Sequence, residues 1–254
     1  MPTLHVQTFG EPTAPPVLAV HGVYGHGGRW RELAAKHLDG CCVYAPDLRG
    51  QGRSPWAPPW TLEQHVADML ATMDEFDLSQ VDVVGFSFGA VVSLHLATKA
   101  PERVRRLVLL DPALGLDAEA AKNGAATALA ASSFTSPAEA RATRAAGWPF
   151  ASPDAVDQEV ADHLVRGEDD RWRWRYQPES VAAAYAEMTR PAILPPAGVP
   201  TLLVRATKAG VVRQEYLAAC RAAGVAVADV ESGHQLLLER PTDTGDLVRD
   251  FLGL

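Results

Sequence analysis

Lysine and cysteine are scarce in this 254-residue chain, and long apolar runs are absent. Only four of its 23 basic residues are lysine (Lys36, Lys99, Lys122 and Lys208), and the net charge is −8. A chain this acidic offers no basic face to a phosphate backbone, so nucleic acid is not expected as a partner. The three cysteines stand as the adjacent pair Cys41 and Cys42 and the distant Cys220. That spacing makes neither a disulfide framework nor a CxxC redox or zinc pattern, and buried free thiols are expected. No stretch approaches 18 uninterrupted apolar residues, and the segment MPTLHVQTFGEP has no basic region leading into an apolar one. A membrane partner and a secretory leader are therefore not expected, and a cytoplasmic protein is. HExxH, GxxxxGK(S/T) and a complete GxGxxG are also missing, so no metal and no cofactor is implied.

With 47% hydrophobic and 21% charged residues, disorder, collagen and coiled coil do not fit. The length is too great for one minimal domain and short for two full ones, which points to one core carrying a large insertion. Short apolar runs rich in β-branched residues lie at Val17 to Val20, Cys41 to Ala45, Val81 to Gly85, Leu107 to Leu110, Thr201 to Arg205 and Val225 to Val230. Runs of this kind suit strands buried on both faces of a parallel sheet. Helical patterns alternate with them at Trp30 to Leu38, Leu62 to Phe76, Gly89 to Lys99, Arg213 to Ala223 and Thr242 to Leu252. An open α/β sheet follows from that alternation.

The alternation breaks between Asp111 and Thr201, a stretch that is alanine-rich and helix-prone, with Gly147, Pro149, Pro153 and Gly167 as breakers. It also holds Arg171-Trp172-Arg173-Trp174-Arg175-Tyr176, arginine and aromatic residues at period two. Such a stripe can stack nucleic-acid bases, but Glu168, Asp169 and Asp170 precede it. The reading preferred is an amphipathic extended segment that buries Trp172, Trp174 and Tyr176.

Chemistry is concentrated where the Val81 to Gly85 run enters Gly85-Phe86-Ser87-Phe88-Gly89 and then a helix-like segment. This is GxSxG in the strand-turn-helix setting that the motif requires. A nucleophile on so tight a turn crowds the positions two before and two after it, and only very small residues fit there. Three further segments accompany it: His21-Gly22-Val23-Tyr24-Gly25, Asp47-Leu48-Arg49-Gly50-Gln51-Gly52-Arg53-Ser54, and Gly233-His234 with Glu239 and Pro241.

On these four segments, which span about 170 residues outside the insertion, the chain resembles the α/β-hydrolase fold family, in its capped subgroup with a serine nucleophile. The resemblance implies a mostly parallel central sheet with helices on both faces and a helical cap inserted after the strand ending at Asp111. Residues 1–111 and 196–254 would form the core and 112–195 the cap. It implies Ser87 as nucleophile, His234 as base, and the main-chain N–H groups of Val23 and Phe88 as oxyanion hole. His21 would brace its loop by hydrogen bonding, while His95 and His163 fall on a helix and in the insertion.

The acid departs from the family's usual pattern. Relatives place an aspartate after the strand corresponding to Leu202 to Arg205, but Thr207 to Val212 contains no carboxylate, and Gly210 stands at the corresponding position. Some haloalkane dehalogenases of this fold take their acid from the preceding strand end. Asp111 is that residue here, and the order Ser87, Asp111, His234 is kept; Glu215 and Asp229 are weaker candidates.

A serine at the elbow argues against alkyl-enzyme chemistry, which uses aspartate. The expected activity is hydrolysis of a small ester-like substrate, of carboxylesterase or lactonase type, through a Ser-His-Asp triad and an acyl-enzyme. A C–C bond hydrolase, a cofactor-free perhydrolase and a non-catalytic small-molecule-binding homologue share the same residues and are the alternatives. Tyr24, Trp148, Phe150, Trp172, Trp174 and Tyr176 are the pool of pocket walls for a small-molecule substrate.

Overall fold

A computed structural model describes residues 3–130 and 132–254; Met1, Pro2 and Ala131, which fall in the expected core and cap ranges, lie outside the described residues. The strands are β1 (Val6–Phe9), β2 (Pro16–Val20), β3 (Cys42–Pro46), β4 (Val81–Phe86), β5 (Val104–Leu110), β6 (Leu164–Arg166), β7 (Trp172–Trp174), β8 (Thr201–Ala206) and β9 (Ala226–Val230). Seven of them form one sheet in the order β1-β3-β2-β4-β5-β8-β9. All pairings in it are parallel except β1 with β3.

The helices are α1 (Arg31–His37), α2 (Leu62–Glu75), α3 (Phe88–Lys99), α4 (Ala118–Leu129), α5 (Pro137–Gly147), α6 (Pro153–His163), α7 (Pro178–Glu187), α8 (Gln214–Ala222), α9 (Leu236–Glu239) and α10 (Pro241–Leu252). Because strand side chains alternate between faces, each central strand serves two cores. Leu18, Val20, Cys42, Tyr44, Val83, Leu107 and Leu109 meet the apolar sides of α2 and α3. Val17, Ala19, Val43, Ala45, Val84, Val108 and Leu110 meet α1 and α10. This is why the runs read from sequence are continuously apolar rather than alternating.

Two strands depart from that reading. β1 has no buried run to announce it and pairs antiparallel at one edge of the sheet. β9 forms the other edge, so the Val225 to Val230 run is not buried on both faces: only Val230 is fully buried, and Asp229 is ion-paired to Arg205 at 2.7 Å.

Between β5 and β8 the chain leaves the sheet. α5 and α6 each begin at Ser-Pro, where Ser136 and Ser152 accept the N–H groups of Glu139 and Ala155 and the proline supplies a preset φ at the first turn. Gly124 of α4 lets the Tyr185 ring of α7 lie against its backbone. The Arg-Trp segment forms β7, paired antiparallel with β6, and Trp174 packs with Phe134, Ala140 and Leu164. The insertion joins the sheet's upper loops through main-chain bonds: Gly52 N–H to Arg175 O at 2.7 Å and Gln177 N–H to Gly50 O at 2.7 Å.

The loop that receives those bonds is itself held by a buried ion pair. Arg49 donates from Nε and Nη2 to the two oxygens of Asp68 on α2, at 2.8 and 2.6 Å. Both side chains are buried, so removing one partner strands a charge. Asp68→Ala is expected to lower the unfolding free energy by about 3–5 kcal/mol, read from urea denaturation midpoints.

Candidate active site

β4 runs straight into the turn that carries Ser87, whose backbone lies at φ 54 and ψ −117. The glycines around it are sterically required: a Cβ on Gly85 would sit 2.5 Å from Ser93 Oγ, and one on Gly89 would overlap the Val20 carbonyl. The Ser87 N–H donates to Leu110 O at 2.9 Å, which fixes the turn to the end of β5. A strained, over-determined backbone of this kind presents a side chain at the top of the sheet.

His234 follows β9 and reaches back over the sheet. Its Nε2 lies 2.9 Å from Ser87 Oγ and its Nδ1 lies 2.6 Å from Asp111 Oδ2. Asp111 is 0% exposed and has φ 41, a left-handed conformation that aspartate tolerates better than most residues. Its N–H donates to Val204 O at 2.8 Å, and its other carboxylate oxygen accepts the Ala206 N–H at 3.0 Å. Two adjacent strands thus aim the carboxylate at the imidazole. An ionised carboxylate only accepts, so the proton sits on Nδ1 and Nε2 is left to accept from the serine hydroxyl.

The other candidates lie elsewhere. The 207–212 turn contains no carboxylate, and a Cβ on Gly210 would meet nothing within 4 Å. Glu215 is exposed on α8, and Asp229 is engaged with Arg205. His95 is half-buried on α3, and His163 is buried inside the insertion.

Glu239 stands in the late motif, but its task emerges only from the structure. One of its oxygens accepts the Gly233 N–H at 2.7 Å and lies 3.2 Å from Ser232 Oγ, so it cradles the turn that presents His234. Phe86 adds a ring 5.0 Å from the imidazole.

Gly22 brings the loop after β2 onto Ser87, since a Cβ there would stand 2.9 Å from Ser87 Cβ. Val23 is the next residue, and Phe88 is the first residue of α3, where a main-chain N–H has no intrahelical acceptor. His21 braces this loop. Its Nε2 accepts the Leu48 N–H at 2.9 Å, so its Nδ1 is the donor to Gly22 O at 2.7 Å. Burial lowers the His21 pKa to about 3, and burial likewise takes His65, which packs against Phe88, to about 4.

Both shifts lie below the ordinary 6.5, so the unfolded chain gains protons that the folded chain refuses. Their contribution to stability is complete above pH 6.5 and is lost as the pH falls toward 4 and 3. Urea unfolding is expected to show a loss of roughly 2 kcal/mol per residue between pH 7 and pH 5.

The aromatic pool divides. Tyr24, at φ 60, packs edge-on against Tyr176 with ring centroids 5.1 Å apart, and these two stay at the loop after β2. Trp172 and Trp174 are used by the insertion's own core. Trp148 stacks under Arg29 and Arg144 and lines a cavity of about 430 Å³ beside α1 rather than at Ser87. Phe150 is 69% exposed, so it is corrected from pocket wall to surface residue. Among the described residues no group of three His, Cys, Asp or Glu side chains is placed to hold a metal ion, and no helix is long and apolar enough to cross a membrane.

Residues 15–241 match the family described as alpha/beta hydrolase fold. A protein named Lipase LipV from Mycobacterium tuberculosis is 40% identical over 98% of this chain and 98% of its own length. A pimeloyl-[acyl-carrier protein] methyl ester esterase from Chromobacterium violaceum is 36% identical over 42% of this chain and 40% of its own. Among solved structures, E-2-(acetamidomethylene)succinate hydrolase superposes with a TM-score of 0.88 at 22% identity, covering 99% of this chain and 95% of that one. With a family match across most of its length and a relative similar from end to end, this chain belongs to the alpha/beta hydrolase fold family.

Proposed function

We propose that the chain is a serine hydrolase acting on a small ester-like substrate, of carboxylesterase or lactonase type. The observation that carries this reading is the contiguous line from Ser87 Oγ through the two nitrogens of His234 to the buried Asp111. Ser87 Oγ attacks the ester carbonyl carbon while its proton passes to His234 Nε2. The carbonyl π pair becomes an oxyanion, received by the N–H groups of Val23 and Phe88. Collapse expels the alcohol, which takes the proton from Nε2 and leaves an acyl group on Ser87. Water then attacks the acyl carbon, gives a proton to Nε2, and the acid departs as Ser87 recovers its hydrogen. Asp111 holds the imidazole in the required tautomer and stabilises the imidazolium at each step.

In the same reading residues 112–195 serve as a cap over the core of 1–111 and 196–254, with Tyr24 and Tyr176 as pocket walls. The lipase name of the relative that is similar from end to end supports ester over carbon–carbon bond cleavage. The test is hydrolysis of a short-chain p-nitrophenyl ester together with labelling by a fluorophosphonate. Turnover with a single label on Ser87 is expected; a protein that neither turns over esters nor takes the label is not a serine hydrolase. Cleavage of a dienone at a higher rate than any ester would favour the carbon–carbon reading instead.

A further inference from the structure

A buried ionic cluster joins the insertion to the oxyanion loop, and the proposed chemistry makes no use of it. Glu159 of α6 is an acid, yet it lies on the helix face that is buried together with Val156 and His163. Arg29 donates to it twice, Nη2 to Oε1 at 2.6 Å and Nε to Oε2 at 3.0 Å. His26 joins them: its Nδ1 accepts the Gly28 N–H at 3.1 Å, so its Nε2 is the donor to Glu159 at 3.0 Å. Burial pushes the Glu159 carboxyl up, but Arg29 and His26 outweigh it and hold the group well below the usual carboxylate range. The charge is therefore kept, and kept paired.

The same Nη2 of Arg29 makes a third bond, to the main-chain carbonyl of Tyr24 at 2.7 Å. Tyr24 directly follows Val23 and carries the loop's left-handed φ of 60. One planar guanidinium thus fixes a carboxylate from the insertion and a carbonyl one residue beyond the expected oxyanion donor. A lysine ammonium lacks the fork needed to hold both in one geometry. Trp148 stacks on Arg29 at 4.9 Å and keeps the guanidinium plane in place.

We propose that Arg29 is a positioning residue for the oxyanion loop and that Glu159 sets Arg29, so that the oxyanion hole is complete only when the insertion is seated on the core. The inference rests on the serine-hydrolase reading. Seating the insertion and aiming the Val23 N–H become one event, which ties turnover to closure over the substrate.

The experiment compares Arg29→Lys and Glu159→Gln with the unaltered protein on a p-nitrophenyl ester, with rates expressed per active site titrated by the acylation burst. Glu159→Gln preserves the volume of the buried side chain, and each variant is assayed below its own melting transition. Both are expected to lose about 10–100-fold in kcat with KM unchanged within about threefold, because the lost bond matters most when the oxyanion develops. A trifluoromethyl ketone analogue of the tetrahedral intermediate should lose affinity by a similar factor, while a carboxylate product analogue should not. A structural role alone would lower the melting temperature and leave the per-site kcat and the analogue affinity unmoved, and that result overturns the proposal. If the unaltered protein shows no ester turnover and no serine label, the hydrolase reading falls instead.

Discussion

Replacing Ser87 with alanine is expected to lower kcat on a p-nitrophenyl ester by about 10⁵–10⁶-fold while the protein stays folded. The variant loses the nucleophile itself, so no acyl-enzyme forms and the burst disappears along with the fluorophosphonate label. What survives is the rate due to the oxyanion donors and to substrate binding, about 10³–10⁴-fold over water in enzymes of this type. The fold tolerates the change because the bond that anchors the turn, Ser87 N–H to Leu110 O, is main-chain. The glycine contacts that shape the elbow are also untouched. Serine already holds φ 54 with a Cβ in place, so alanine brings no new backbone strain. Undiminished steady-state turnover in Ser87→Ala would remove the mechanism altogether.

Asp111→Asn is expected to reduce kcat by about 10⁴-fold with little change in melting temperature. The amide keeps the shape of the carboxylate, and its oxygen can still accept the Ala206 N–H now received by Asp111. Its NH₂ group, however, faces a ring nitrogen that must itself be a donor for catalysis. The asparagine therefore favours the tautomer with the proton on Nε2, where it blocks acceptance from Ser87 Oγ. No charge remains to stabilise the imidazolium. Because Asp111 is fully buried, water cannot replace it as a counter-charge. The comparison variant is Asp229→Asn, whose carboxylate serves Arg205 at the sheet edge; it is expected to leave kcat within about twofold, as surface changes away from a site do. Near-normal activity in Asp111→Asn, measured beside it, would return the acid to another residue.

Ser87, His234 and Asp111 are visible in the sequence because each carries a local signal. Ser87 lies between two glycines that only a cramped turn demands. His234 follows a glycine near the end of the last strand, and Asp111 closes an apolar run in a chain whose 207–212 turn holds no acid. The buried strands are legible for the same reason: continuous apolar runs report double burial directly. Edges report nothing so plain, and β1 and β9 show it, one without an apolar run and the other with a run that is only half covered. The Glu159 cluster is hidden for a different reason. Its partners, Arg29 and His26, lie 130 and 133 positions away, and no spacing rule within α6 marks one acid of an amphipathic helix as buried. The aromatic residues share that difficulty. Trp174 and Phe150 both look apolar in sequence, but packing sends the first into the insertion's core and leaves the second in solvent.

In the proposed triad the acid sits at the end of β5, and this also bears on where the chain can accept change. The turn around Gly210 has a left-handed φ of 68 and open space on its outer side, and no carboxylate there has to be kept at a fixed distance from an imidazole. Its tip is the natural place for a fluorophore, a tag or new termini. The junction after β5 is the opposite case: Asp111 is at once the last anchored residue of the core and the first of the path into the insertion, so adding or deleting a single residue there would re-register the acid. Exchanging whole insertions between relatives therefore calls for a cut beyond Leu114, whose N–H is already bonded locally to Pro112 O and not to the sheet.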